Sequence, residues 1–284
     1  MQTRPREGFT VRSMRSRQDV RANTVIGAGL LAGGANVIMQ LALPAVGYGV
    51  VESRVHDGNI FTRPLKRTRT TLTYLAVAML GTDEERKAFR RAVNRQHARV
   101  RSTDTSPVRY HAMDPELQLW VAACLYRGVE DVHRVFVGEP DADTAERIYA
   151  YSARLGTTLQ VRPEMWPADR AEFERYWQES LKRVSIDDTV REYLHGIATL
   201  RMFPYPVRLL FGRLNRFITT GFLPPLFREH MRLPWSDRHQ RRFDRTMAIL
   251  AAIVMRLPRP LREFPYNVLL WDLRRRLRTG KPLV

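Results

Sequence analysis

Seven histidines, one cysteine and 29 carboxylates are the raw material for chemistry in this 284-residue chain, and their spacing removes most of the standard options. His56, His97, His111, His133, His195, His230 and His239 are scattered; no His-Glu-x-x-His pair or cysteine cluster accompanies them, so no zinc site is read. A Gly-rich phosphate loop and a Gly-x-Ser-x-Gly elbow are also missing. Cys124 lies in an apolar run, which excludes a disulfide framework, favours a reducing compartment and reads as a small buried residue. His97 stands apart. In a helix expected from about Glu84 to Arg101, Phe89, Val93, His97 and Val100 share one face, while Arg86, Lys87, Arg90, Arg91, Arg95 and Arg99 take the others. That spacing turns the imidazole inward. Two readings stay open: a neutral ring bonded to a backbone carbonyl, or an axial ligand to a haem iron.

Two polar groupings lie upstream. Arg63, Lys66, Arg67 and Arg69 interleave with Thr68, Thr70, Thr71 and Thr73 ahead of an apolar run from Leu72 to Leu80. This is either a solvated basic turn before a core helix or a cationic, hydroxyl-bearing rim for an anionic ligand. Glu52 and His56 are one helical turn apart; the carboxylate reads as a surface cap or, if buried, as a general base.

The elements that must position these groups are written in helix punctuation. Asp114-Pro115-Glu116 is a cap, a first-turn proline and an acid, opening a stretch that runs to about Val137. Asp143 is expected to cap a helix ending at Gly156, and Pro167 to open another through Glu172, Tyr176 and Leu181. Further starts are read at Asp187, Pro206 and Ser236, with stops at Gly221, Pro258 and Gly280. Alternating apolar-polar runs are almost absent, so the expected fold is all-α, a single globular domain of about ten helices over residues 24–284 behind a flexible basic segment, 1–23.

That basic segment lacks an apolar stretch ahead of a cleavage site, so no cleavable secretory signal is read and a cytoplasmic location is expected. Thr24 to Val51 could span a bilayer by length, but Asn36, Gln40, Pro44 and the glycines at 27, 29, 33 and 34 favour a closely packed helix pair. The formal charge of +18 suggests a polyanionic partner. Yet only four of the 47 basic residues are lysines, and the arginines are spread along the whole chain, which weakens that inference; nucleic acid is not expected, and peripheral contact with an anionic membrane stays open. The Arg274-Arg275-Arg276-Leu277-Arg278 run is expected to face outward from a terminal helix whose Val268, Leu269, Leu273 and Leu277 face inward. The five tryptophans read as core or helix-junction residues, and the histidines other than His56 and His97 as surface groups.

Several segments together resemble the MpaB-type and rubber-oxygenase (latex clearing protein) family of haem-dependent oxygenases. They are Met39-Gln-Leu-Ala-Leu-Pro-Ala-Val46; Arg67 to Thr71 followed by Gly81-Thr82; His97-Ala-Arg-Val100; Tyr110-His-Ala-Met-Asp-Pro-Glu-Leu117 with Leu119-Trp120-Val121; and Gly221-Phe-Leu-Pro-Pro225 with Leu233-Pro-Trp235. Order and spacing cover roughly residues 30 to 260. The resemblance implies an all-α domain enclosing a pocket for haem b, held by one histidine, in which O2 is activated to cleave a carbon-carbon double bond of an apolar isoprenoid or lipid. His97 matches the family's haem histidine, Arg67 and Thr71 its arginine and threonine beside the haem, and Glu52 falls near its catalytic carboxylate. Two positions depart from the pattern: Leu43 and Ala122 stand where many relatives carry histidine. The alternative is a non-catalytic basic paralogue that binds haem or associates with an anionic membrane or nucleic acid.

Overall fold

A computed structural model describes residues 25–53, 55 and 58–284; the expectations for residues 1–23 and for His56 lie outside the described residues. The apolar, glycine-rich start forms a 3-10 turn, Gly27–Ala32, running into α1, Gly33–Leu41. Pro44, which cannot continue that ladder, opens α2, Pro44–Val51, after a bend of 109°. The polar interruptions are consumed inside the protein. Asn36 donates to the Cys124 carbonyl at 2.6 Å, Gln40 donates to Asn36, and the Trp120 indole donates to the Gln40 carbonyl at 3.0 Å. Gly128 makes this approach possible, since a Cβ there would sit 2.4 Å from the Asn36 amide nitrogen. Among the described residues no single helix is long and apolar enough to cross a membrane; the bent pair Gly27–Leu41 and Pro44–Val51 passes by length and composition only.

Next come α3, Pro64–Leu80, and α4, Asp83–His97, joined at Gly81-Thr82. Thr82 accepts from the Glu85 amide while Glu85 accepts from the Thr82 amide, a reciprocal cap that fixes where α4 begins. The central helix is α5, Pro115–Phe136, capped by Asp114 with Pro115 in the first turn. Then follow α6 (Ala142–Ser152), α7 (Arg154–Thr157), α8 (Arg170–Leu181), α9 (Asp188–Ala198), α10 (Tyr205–Phe222), α11 (Pro225–His230), α12 (Asp237–Val254), α13 (Arg259–Arg262) and α14 (Tyr266–Thr279). Among the described residues the only extended pairing is an isolated antiparallel bridge between Arg101 and His111.

The core is aromatic and centred on α5. Trp120 stacks on Trp177 at 5.2 Å between ring centroids, and Tyr126 meets Phe173 edge-on at 4.7 Å. The Arg127 guanidinium closes this cluster over the Phe173 and Trp177 rings.

The domain is all-α as expected, with differences in detail. Asp141 and Asp169, not Asp143 and Pro167, cap α6 and α8, because their carboxylates accept from the amides of Thr144 and Glu172. Helices exceed ten because α7, α11 and α13 are too short to show a periodicity. His133 is buried rather than superficial. Trp271 is exposed rather than in the core. The inward face of α14 is Tyr266, Leu270 and Leu273, while Val268 and Leu277 point out. Its arginine run is partly neutralised: Arg274 bonds Glu85, and Arg275 and Arg276 both bond Asp272.

Candidate functional site

The site is built by the α3–α4 hairpin. Tyr74 stacks against Phe89 at 6.4 Å across the two antiparallel helices. Stepping back along α3 from Tyr74 reaches Thr71 and Arg67 on the same face, and stepping forward along α4 from Phe89 reaches Val93 and His97. The register that pairs the rings therefore brings Arg67 to His97. α4 ends at His97, short of the expected Arg101, because the chain turns back there: the Val100 amide bonds the His97 carbonyl at 3.0 Å.

Several contacts fix this hairpin. Tyr74 donates its hydroxyl to the Leu155 carbonyl and Tyr151 donates to the Met79 carbonyl, tying α3 to α6 and α7. Gln160 bonds the Asn94 side chain at 2.6 Å and, through its amide, the Gln118 side chain at 2.9 Å, locking the last turns of α4 to α5.

The electrostatics follow from the packing. Burial, aided by the Arg67 charge, pushes the His97 imidazole down from its ordinary 6.5 to about 4, so the ring is neutral at physiological pH. Its Nδ1 is sealed from solvent and has no hydrogen-bond partner among the described residues. Arg67 is itself lowered by burial, with the Tyr193 phenol as the partner opposing that shift. No carboxylate pairs with it among the described residues. Tyr193 on α9 is held in turn by Phe61, edge-on at 4.9 Å, which fits over Gly196 where a Cβ would lie 2.7 Å from the ring.

The other threonines and cations of the α3 segment diverge around the helix. Arg69 faces Asp272 at 3.8 Å, Thr70 bonds the Lys66 carbonyl, and Thr73 is in the core. Arg67 and Thr71 are the pair that share the Tyr74 face. Glu52 caps the end of α2 and accepts from the Ser106 hydroxyl at 2.6 Å and the Tyr110 hydroxyl at 2.8 Å. Tyr110 belongs to the loop after His97, closed on itself by Ser102 to Tyr110 and Ala112 to Val100 backbone bonds. Glu52 is thus tethered to the chain that leaves the histidine. A recess of about 540 Å³ lined by Trp166, Glu172, Arg175 and Tyr176 involves none of these residues.

A neutral, largely desolvated histidine that feels the charge of a desolvated arginine with no carboxylate partner among the described residues, on a helical hairpin, is the arrangement against which the comparison with known proteins is weighed. Residues 24–252 match the family described as ER-bound oxygenase mpaB/B'/Rubber oxygenase, catalytic domain. The chain belongs to this family. Uncharacterized proteins of Mycobacterium bovis and Mycobacterium tuberculosis are each 50% identical to it over 255 residues, covering 90% of this chain and 100% of each relative. No solved structure matches.

Within this mpaB/rubber oxygenase domain the two departures have local reasons. Ala122 is fully buried, facing Gly156, where an added Cβ would lie 3.2 Å from the Ala122 Cβ; α5 and α7 leave no space for an imidazole. Leu43 caps α2 with its carbonyl bonded to the Val46 and Gly47 amides, and its side chain is buried with the core. Sequence reading missed Tyr193, Ser106 and Tyr110 as partners of the site. The i, i+3 pair of Tyr193 and Gly196 was the one available signal, an aromatic beside a small residue, and it names no partner.

Proposed function

We propose that this oxygenase-family domain is a haem b-dependent oxygenase that acts with O2 on an apolar unsaturated isoprenoid or lipid and cleaves a carbon-carbon double bond. The reading rests on one observation: His97 is largely withdrawn from solvent, neutral and unsatisfied at Nδ1, and it feels the charge of a guanidinium for which no carboxylate partner is seen among the described residues. The donor set fits the group. A neutral imidazole is what an iron accepts, and a desolvated arginine matches a haem propionate. His97 would hold the iron, Arg67 a propionate, and Thr71 the rim between them. When bound, haem supplies the redox chemistry that activates O2.

The remaining residues position and exclude. Tyr74, Phe89 and Val93 supply apolar walls that keep water from the ring. Tyr193 orients Arg67. Glu52 is assigned to proton handling, its carboxylate held in place by the Ser106 and Tyr110 hydroxyls.

The test is the visible spectrum of the full chain produced with haem supply, beside His97→Ala and Arg67→Gln, with far-ultraviolet circular dichroism to confirm folding. The expected result is a Soret band lost in His97→Ala and weakened in Arg67→Gln. A folded wild-type protein that takes no haem, or a band unchanged in His97→Ala, overturns the proposal. Oxygen uptake with unsaturated isoprenoids then tests the substrate class.

A further inference from the structure

The first two turns of α10 do something a soluble helix rarely does. Every residue from 204 to 211 is exposed, and they include Tyr205, Leu209, Leu210 and Phe211, with Leu214 following one turn on. Leu209 is 65% exposed and Leu210 70%. The helix meets the body of the protein at Gly212, where an added Cβ would lie 2.8 Å from the Thr199 carbonyl, so the segment before it projects. A helix that is apolar around most of its circumference and only partly covered by protein calls for an apolar partner. A second stripe, Ile249, Ile253, Leu257, Leu261 and Phe264, is also exposed along the end of α12 and through α13. Both α10 and α13 pack on the Gly27–Ala32 turn.

Charge selects the partner. From residue 193 to 228 the chain holds five arginines and no carboxylate, and from 245 to 262 four arginines and again no carboxylate; of these, Arg201 and Arg259 pair with the flanking Glu192 and Glu263. Arg208, Arg213 and Arg216 stand exposed among the α10 leucines. The α14 arginines, by contrast, are paired with Glu85 and Asp272, which removes the run that the sequence alone would choose. A second copy docked through the α10 leucines would bring the exposed Arg208, Arg213 and Arg216 against the same guanidiniums of its partner. Nucleic acid would answer the arginines but leave the leucines in water. Apolar side chains that enter a low-dielectric layer, ringed by cations that meet anionic headgroups, are the composition of a membrane-surface helix.

We propose that the projecting half of α10 inserts into the interface of an anionic phospholipid bilayer, its arginines contacting the headgroups. The inference is independent of haem. It concerns a docking surface, remote in sequence from the α3–α4 seam.

The test is co-sedimentation of the full chain with vesicles of mixed phosphatidylglycerol and phosphatidylcholine, and with pure phosphatidylcholine. Leu209→Glu/Leu210→Glu is compared with Arg175→Glu, an exposed α8 substitution of equal charge change. A neutral Leu209→Ser/Leu210→Ser variant separates insertion from charge, and thermal melts confirm folding. The expected result is salt-sensitive binding to the anionic vesicles, weakened by about tenfold or more in both leucine variants and by about twofold or less in Arg175→Glu. Equal loss in Arg175→Glu, unchanged binding in Leu209→Ser/Leu210→Ser, or no binding at all overturns the proposal. A dimer that the leucine variants dissolve, with no vesicle binding, does so in favour of a second copy.

Discussion

Lowering the pH should destabilise the haem-free protein through His97, and removing that ring should remove the effect. The folded-state value is about 4 against an ordinary 6.5, so between these limits the unfolded chain binds a proton that the folded chain refuses. Stability therefore rises with pH across this window and is lost as pH falls through it. From the two values, the loss between pH 7 and pH 5 is about 2 kcal/mol. The assay is urea unfolding of wild type and His97→Gln at both pH values, read as the change in their difference. Working with the difference matters. Asp131, raised by burial to about 6, titrates in the same window with opposite sign: its folded form binds the proton more tightly, so its contribution grows as pH falls. It is common to both proteins and cancels, as do the lowered His133 and His195. Parallel stability curves, with the difference unchanged from pH 7 to pH 5, would refute the buried, neutral placement of His97.

Asp131→Asn removes a carboxylate whose ionised form burial penalises, and should stabilise the protein by about 1 kcal/mol at pH 8, a gain that shrinks below about pH 6 and is lost only as pH falls through the ordinary 3.8 in thermal melts. Ala122→His should destabilise by about 3 kcal/mol or fail to fold, because α5 meets α7 at Gly156, and Gly156→Ala should cost about 1–3 kcal/mol from contacts of 3.0 Å with Val161. Glu52→Ala strips the acceptor from two hydroxyls and should cost about 1–3 kcal/mol. Hydrogen exchange at the Ser102 and Ala112 amides should accelerate with it.

Helix type was legible wherever a cap and an apolar face agreed, as at Asp114, Asp187 and Ser236, each of which caps a helix as its side chain suggests. The inward turn of His97 was legible for the same reason: period and arginine-covered faces left it one direction. Which of several arginines would meet it was not, since that depends on the register of a hairpin set by Tyr74 and Phe89. The tether on Glu52 was hidden because Ser106 and Tyr110 are more than fifty residues away in sequence. On α14 periodicity placed Leu273 correctly but erred on Val268 and Leu277, because the docking of α14 on α3 turns Tyr266 and Leu270 inward instead. On α10, Val207, Leu210, Phe211 and Leu214 follow a helical period that continues into the buried Ile218, and period alone does not say which turns of such a face are buried and which are bare.

The cross-helix register of α3 and α4 also governs which length changes this lineage can accept. One residue inserted in α3 between Thr71 and Leu80 would rotate Arg67 by about 100° around its own axis, away from His97, while every other α3 contact beyond the insertion stayed in place. Seven residues would return it to nearly the same azimuth but about 10 Å further along. The Gly81-Thr82 corner is just as confined, because Gly81 lies against the Val77 carbonyl and Thr82 is bound reciprocally to Glu85. Insertions compatible with an intact site are thus expected beyond the hairpin, and length conservation between Arg67 and His97 becomes a criterion for sorting relatives that retain this pair from those that have lost it.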